Sequence, residues 1–474
     1  MSQKFANHFE SLLDEKNLKL LKKIGRIAAE IGIEVYAVGG FVRDTLLKKN
    51  VKDIDFVVVG DGIAFAKLVA HRLKSNHVAV YKKFGTAMVG IDDHELEFVG
   101  ARQESYRGDS RKPKVKPADL LTDLTRRDFT INAMAVSLCK EKLFTLIDPF
   151  HGRRDLRAKI IRTPLDPQTT FADDPLRIMR AVRFSSQLQF KIEEKTYNGI
   201  IEVSERLAII SQERITDEFL KILAVPKPGK YFFLMDELGI LSQFLPEFSA
   251  LKGVDERNGY THKDVFTHTL KVLDNITEKT DKPQLRLAAL FHDIAKPQTK
   301  KFIETKGWTF HGHEEIGARM IPRIFRRLRL STEWQKYVQK LTRLHLRPIA
   351  LAEEECTDSA YRRLLFQVGA DLEDLLTLCR ADITSRNAQR RRKFLGNFEF
   401  VVKRLNAVEE KDRMRSFQSP VRGDEIMELC EIPPGKLVGQ IKSRIEEAIL
   451  DGEIPNEYEA AKKYLLLIKD DFLH

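Results

Sequence analysis

The chain has 474 residues, 43% of them hydrophobic, and a formal net charge of +11. That length provides for about two to four domains with packed cores, and the basic balance suits a polyanionic partner. Cys139, Cys356, Cys379 and Cys430 are scattered without Cys-x-x-Cys spacing, which fits free thiols in a reducing cytoplasm and excludes a disulfide framework. No apolar run is long enough to span a bilayer, and the opening MSQKFANHFESLLDEK lacks the apolar core of a signal peptide, so a soluble cytoplasmic protein is expected.

Residues 11–31 place Leu12, Leu13, Leu18, Leu21 and Ile24 at helical spacing, predicting one helix beside a sheet. The apolar run Val35 to Val38 reads as a buried strand, followed by a Gly39-Gly40 turn and a helix-like segment with Arg43 and Asp44. A second strand over 53–59 carries Asp53 and Asp55. Residues two apart in a strand share a face, so the two carboxylates project together. Paired carboxylates are costly without a cation between them, and Mg²⁺ favours one or two carboxylates plus substrate phosphates. Backbone N–H groups of the Gly-Gly turn at a helix start welcome phosphate, and Arg43 adds a positive fork. Together these are the parts of a nucleotidyl-transfer site.

VGGFVRDTLLKKNVKDIDFVVV resembles the signature of class II tRNA nucleotidyltransferases and bacterial poly(A) polymerases, within the polymerase-β-like nucleotidyltransferase superfamily. The resemblance implies that Asp53 and Asp55 hold catalytic magnesium and that Gly39, Gly40 and Arg43 hold a triphosphate. Further along, a helix is predicted over 63–73 and short strands over 78–81, 86–91 and 95–99. Glu97, inside the last, is either a solvent-facing strand residue or a third acid beside Asp53 and Asp55, as the superfamily implies. Residues 102–117, RQESYRGDSRKPKVKP, lack periodicity and read as a mobile loop, which the resemblance links to switching from C to A addition. RRDFTINAMAV (126–136) reads as a helix-capable apolar run opened by charges. By resemblance, Arg127 contacts phosphate while Asp128 and Asn132 shape the sugar pocket. DPFHGRRDL resembles the link between head and neck.

ADDPLRIMRAVRFSSQLQF (172–190) predicts a helix, with Asp173 or Asp174 as cap and Pro175 in the first turn. Asp174 and Arg177, three apart, are expected to form a salt bridge that presents one acceptor and one donor fork to a base edge. Cytosine and adenine offer an amine to the carboxylate. Guanine and uracil present a carbonyl there, leaving an unpaired acceptor at a cost of about 1–3 kcal/mol. Such a pair selects C and A without a template strand, and the family uses an acidic-Asp-x-x-Arg motif for this purpose. Helical rotation turns Arg183 away from Asp174, so Arg180 and Arg183 are expected to reach phosphates or brace the site. SQERITDEFLKIL (211–223) reads as a helix whose Glu213 and Arg214 support its neighbour.

From residue 261 the vocabulary changes. His268, the doublet His292-Asp293, His313, His345 and Asp382 are spaced along successive helical segments, with His311 as an alternative to His313. Imidazole and carboxylate ligands suit Fe, Mn, Co or Ni. The order resembles the HD phosphohydrolase superfamily and implies phosphatase or 2′,3′-cyclic phosphodiesterase chemistry. The basic segment 386–404 is either a solvated helix face or a phosphate-binding surface. The stretch containing PPGKLVGQIK resembles the family's helical tail, expected to grip tRNA by charge and shape.

The expected fold is α+β: a small head with a mixed or antiparallel sheet over 1–155, then all-α neck (156–255), HD region (256–390) and tail (391–474). The expected activity is addition of C, C and A to the tRNA 3′ end, with tRNA, CTP and ATP as partners and neither DNA nor membrane. Poly(A) synthesis, CC-only or A-only addition, and a phosphohydrolase with a non-catalytic RNA-binding head remain as alternatives.

Overall fold

A computed structural model describes residues 2–473 apart from 83–84, 108–109, 259, 262–263, 354–355, 386, 417–418 and 451–452. The chain forms two compact units. The first is Met1–His345 with Ala381–Thr384, and the second is Leu346–Arg380 with Ser385–His474.

The first unit is organised on a seven-stranded mixed sheet. Its strands are β1 (Val35–Val38), β2 (Asp53–Val58), β3 (Val78–Tyr81), β4 (Thr86–Ile91), β5 (His94–Gly100), β8 (Ala135–Ser137) and β9 (Leu146–Ile147), and a separate ribbon is made by β6 (Arg102–Arg107) and β7 (Ser110–Pro117). The sheet order is β3-β4-β5-β2-β1-β8-β9. Only β2 and β5 run parallel; every other neighbouring pair is antiparallel. A parallel pair needs a crossover, supplied by the helix Gly62–Arg72 and the β3/β4 hairpin. The alternation in β2 and β5 sends Ile54, Phe56, Leu96 and Phe98 into the core. Phe56 stacks on Phe98 at 4.7 Å and Phe65 of the crossover helix meets Phe98 edge-on at 5.6 Å. The opposite side of these strands is left for Asp53, Asp55 and Glu97.

Three elements differ from expectation. Residues 11–31 are not one helix: Ser2–Leu12 and Glu15–Glu30 are separate, because Asp14 caps the second by accepting from Asn17 N at 2.7 Å. The stretch 102–117 is not a loop but the antiparallel β6/β7 ribbon, with 108–109 outside the described residues. A ribbon outside the main sheet needs no apolar alternation, so periodicity missed it. In 126–136 only Thr130–Asn132 makes a 3₁₀ turn, and Ala135–Ser137 is β8, between β1 and β9. A fully buried apolar run reads alike as helix or strand until its neighbours are known.

Beyond the sheet the first unit is mainly helical, but not all-α as expected: short ladders pair Ile160–Ile161 with Lys191–Ile192, Glu256–Arg257 with Tyr260–Thr261, and Lys301–Ile303 with Gly307–Thr309, too short to show a strand repeat in the sequence. Leu176–Leu188 packs beside Gln212–Leu223, and Thr216 Oγ1 donates to Leu328 O at 2.7 Å. Val265–Thr277, Pro283–Phe291, His313–Arg327 and Thr332–Leu344 follow. In the second unit, Gly423–Cys430, Lys436–Leu450 and Tyr458–Leu473 close around Val421, Ile426, Ile441, Ile445, Ala461 and Leu465. The PPGKLVGQIK stretch does open a helix, at Lys436. No helix among the described residues is long and apolar enough to cross a membrane.

Candidate active site

A cavity of about 590 Å³ lies against the sheet, lined by the Gly39-Gly40 turn, Asp55, the segment from Arg126 to Asn132, and the helix Leu176–Leu188. The turn depends on glycine. Gly39 sits at φ +68°, ψ −129°. A Cβ there would lie 2.9 Å from Arg127 Nη1 and 3.6 Å from Asp55 Oδ2. The missing side chain is what lets a guanidinium and a carboxylate close on the turn. The helix Gly40–Leu46 begins immediately after it.

Register puts the acids together. Asp55 of β2 is paired with Glu97 of β5, while Asp53 stands two residues before Asp55 on the same face. Burial pushes the Asp55 carboxyl above its ordinary value; Arg127 opposes this and Asp53 adds to it. Burial also raises Glu97, and the Asp55 charge raises it further. A divalent cation would relieve this repulsion, although the ligand atoms of the three acids do not all lie within 4.8 Å of one another.

Behind the acids runs a charged chain. Arg43, 8% exposed, donates Nη1 to Asn132 Oδ1 at 2.7 Å and Nε and Nη2 to Asp44 at 3.0 and 2.6 Å. Asn132 Nδ2 donates to Asp128 Oδ1 at 3.0 Å, and Arg180 holds Asp128 Oδ2 at 2.6–2.7 Å. Burial alone would raise the Asp128 carboxyl, but Arg180 and Asn132 outweigh it and hold it at about 2. Arg183 bonds Glu218, a buried acid of the neighbouring helix. Phe184 packs beneath the guanidiniums of Arg183, Arg43 and Arg180, at 4.0, 4.9 and 5.2 Å from its centroid.

Asp174 and Arg177 line the same cavity without forming the expected salt bridge. Asp174 lies before the helix in extended backbone; its Oδ1 accepts from Leu176 N at 3.2 Å and its Oδ2 from Arg214 at 3.3 Å. Arg177 donates instead to Thr170 O at 3.0 Å and Arg126 O at 2.6 Å. Since Asp174 is outside the helix, the rotation argument that set it apart from Arg183 does not hold, and all four residues line one cavity. Arg102, Arg126 and Phe184 also line it and went unnoticed as site residues. Phe184 carried a signal, an aromatic among arginines in RIMRAVRF; Arg102 was hidden in an apparent loop.

The second cluster forms at the ends of the later helices. His268, His292 and Asp382 make one group and Asp293, His313 and His345 another, each with ligand atoms within 4.8 Å of one another. His268 Nε2 lies 2.9 Å from Asp382 Oδ1, and His313 Nε2 3.1 Å from Asp293 Oδ1. His292, His313 and His345 each hold Nδ1 2.7–2.8 Å from a backbone carbonyl, at Ala289, Phe310 and Thr342. A carbonyl only accepts, so Nδ1 carries the proton and Nε2 turns its lone pair inward. The Nε2 atoms of His292 and His313 are buried without a hydrogen-bond partner. The donor set therefore fits a metal ion. His311 is exposed, and His313, not His311, joins the cluster.

Residues 35–162 match the family described as Poly A polymerase head domain, 189–252 the "Probable RNA and SrmB- binding site of polymerase A", and 265–387 the HD domain. An A-adding tRNA nucleotidyltransferase of Aquifex aeolicus is 38% identical over 283 residues, 57% of this chain, and the chain spans 32% of that protein's length. A multifunctional CCA protein of Nitrosococcus oceani is 32% identical over 377 residues, covering 76% of this chain and 87% of the relative. A solved tRNA nucleotidyltransferase, complexed with a primer tRNA and an incoming ATP analog, has a TM-score of 0.57 at 27% identity, over 80% of this chain and 98% of that one.

Proposed function

The chain belongs to the tRNA nucleotidyltransferase and poly(A) polymerase family, and on that footing we propose that it adds C, C and A to the 3′ end of tRNA from CTP and ATP. The observation that carries this reading is Asp55, in register with Glu97 and two residues after Asp53, lining an arginine-rich cavity that Asp174 and Arg177 also line. Asp53, Asp55 and Glu97 would hold magnesium, which supplies Lewis-acid polarisation of a hydroxyl and neutralises phosphate charge. Gly39 and Gly40 offer backbone at a helix start to the triphosphate, and Arg127 gives it a guanidinium. Arg43, Asp128, Asn132 and Arg180 hold one another and shape the ribose end. Arg183 braces the helix through Glu218. Arg177 is anchored on two carbonyls through one N–H of each terminal nitrogen. The remaining N–H groups, with Asp174, are left to read a base edge.

A second reading, addition of A alone, is favoured by the likeness to the Aquifex A-adding protein. The cluster of His268, His292, Asp293, His313, His345 and Asp382 supports a further phosphohydrolase activity on phosphate esters, with a transition metal such as Fe, Mn, Co or Ni held by imidazole and carboxylate. Incubating the protein with tRNA transcripts ending before CCA, after C, or after CC, and with each labelled nucleotide in turn, separates the readings. CCA addition predicts CTP incorporation into the first two and a single A on the third. Incorporation only of A into the CC-ended transcript would establish the A-adding reading, and long A tails a poly(A) polymerase. No incorporation at all would leave the His/Asp cluster as the catalyst. Asp55→Asn is expected to lower incorporation by about 10³-fold or more, since it removes a charge on which the acidic cluster depends.

A further inference from the structure

One buried carboxylate stands behind both halves of the nucleotide cavity. Leu120 and Leu124 of the short helix Leu120–Thr125 pack into the core with Val38, Val57, Ala101 and Ala135. Between them, Asp123 is fully buried at 0% exposure. Its two oxygens divide two arginines. Oδ1 accepts from Arg126 Nε and Nη2 at 3.0 and 2.6 Å, and Oδ2 accepts from Arg127 Nη2 at 3.2 Å. Both arginines line the cavity.

Each arm leads to a different part of the site. Arg127 presses on the Gly39 turn: a Cβ on Gly39 would meet its Nη1 at 2.9 Å and Asp55 Oδ2 at 3.6 Å. Its position is therefore tied to the turn and to the acid of β2. Arg126 acts through its main chain, since its carbonyl accepts Arg177 Nη2 at 2.6 Å. Arg177 comes from the helix Leu176–Leu188, which lies outside the sheet region. Two adjacent guanidiniums repel one another unless a charge between them fixes their spacing, and a carboxylate on a core-anchored helix does so rigidly.

We infer that Asp123 is a positioning residue that couples triphosphate binding by Arg127 to base selection by Arg177. Asp123 itself does not line the cavity. This rests on the nucleotidyl-transfer reading above and adds to it a specificity determinant in the head, 54 residues before Arg177 in sequence. Replacing Asp123 by Asn keeps the shape but turns one oxygen into a donor that faces an arginine N–H. Both arms then lose their set positions at once.

The experiment is steady-state incorporation of all four nucleotides by the full chain, comparing wild type, Asp123→Asn, Arg177→Ala and the double variant. Asp123→Asn is expected to raise KM for CTP and ATP about tenfold or more, the scale on which small misplacements act. It is also expected to relax discrimination against UTP and GTP, and the double variant should discriminate no worse than Arg177→Ala alone. A merely structural role would lower kcat in the same proportion for all four nucleotides, with KM and base preference unchanged. That outcome, or strictly additive losses in the double variant, overturns the inference. Asp123→Glu, which keeps the buried charge, decides the matter if the Asn variant does not fold: relaxed discrimination at wild-type melting temperature supports the coupling, and unchanged discrimination refutes it. Wild-type protein that incorporates no nucleotide would sink the nucleotidyl-transfer reading itself, whereas an active wild type with a wild-type-like Asp123→Asn sinks only the coupling.

Discussion

At the scale of single residues, the site is held by charges that satisfy one another before any substrate arrives. Asp128 is the clearest case. Its carboxyl is held at about 2 against an ordinary 3.8, because Arg180 and Asn132 outweigh the cost of burial. A depressed carboxyl contributes stability that is present above the unfolded value and is lost as pH falls through the folded one. Asp128→Asn should therefore flatten the acid arm of the stability curve between about pH 4 and pH 2. Melting temperatures of variant and wild type across that window measure it, and parallel curves would mean that the Arg180 pair does not depress this group. Arg43 shows the same economy: its Nε, Nη1 and Nη2 already serve Asp44 and Asn132, so it organises the turn as much as it offers charge.

At the scale of elements, the Gly39-Gly40 turn and the paired strands decide the geometry. Gly39→Ala would add a Cβ at φ +68° and 2.9 Å from Arg127 Nη1. The backbone strain costs about 1–3 kcal/mol, and Arg127 must also give way. Lower thermal stability together with a raised KM for nucleotide is the expected result; loss of stability with an unchanged KM would separate the turn from nucleotide binding. The β2/β5 pair works differently. It brings acids from separate strands into register, and its rigidity comes from Phe56 and Phe98 stacked on the far face.

At the scale of the whole molecule, two clusters of chemistry-bearing residues use separate elements. The acids and arginines of the first lie on the sheet and the helix Leu176–Leu188, while the second draws on His268, His292, Asp293, His313, His345 and Asp382. His292→Ala should therefore abolish any phosphodiesterase action and lower any bound metal at this cluster, while nucleotide incorporation stays within about twofold of wild type. Metal analysis and the two assays on one preparation test this. Parallel loss of both activities would show that the clusters are not independent.

Much of this was legible in the chain itself. Strands 35–38, 78–81 and 86–91 and the metal-cluster histidines follow from local pattern and residue chemistry, and the Asp-x-Asp pair needs only the two-residue repeat of a strand. What stayed hidden depends on partners far apart in sequence. Arg43 meets Asn132 across 89 residues, Arg177 meets the Arg126 carbonyl across 51, and Asp174 meets Arg214 across 40. A three-residue spacing suggested that Asp174 and Arg177 would bond each other, but the helix begins after Asp174, and each found a partner elsewhere. Local sequence determines which groups are present and which way a strand or helix turns them; only the folded core decides which of them are buried together, because a buried charge takes whatever partner the packing brings within reach.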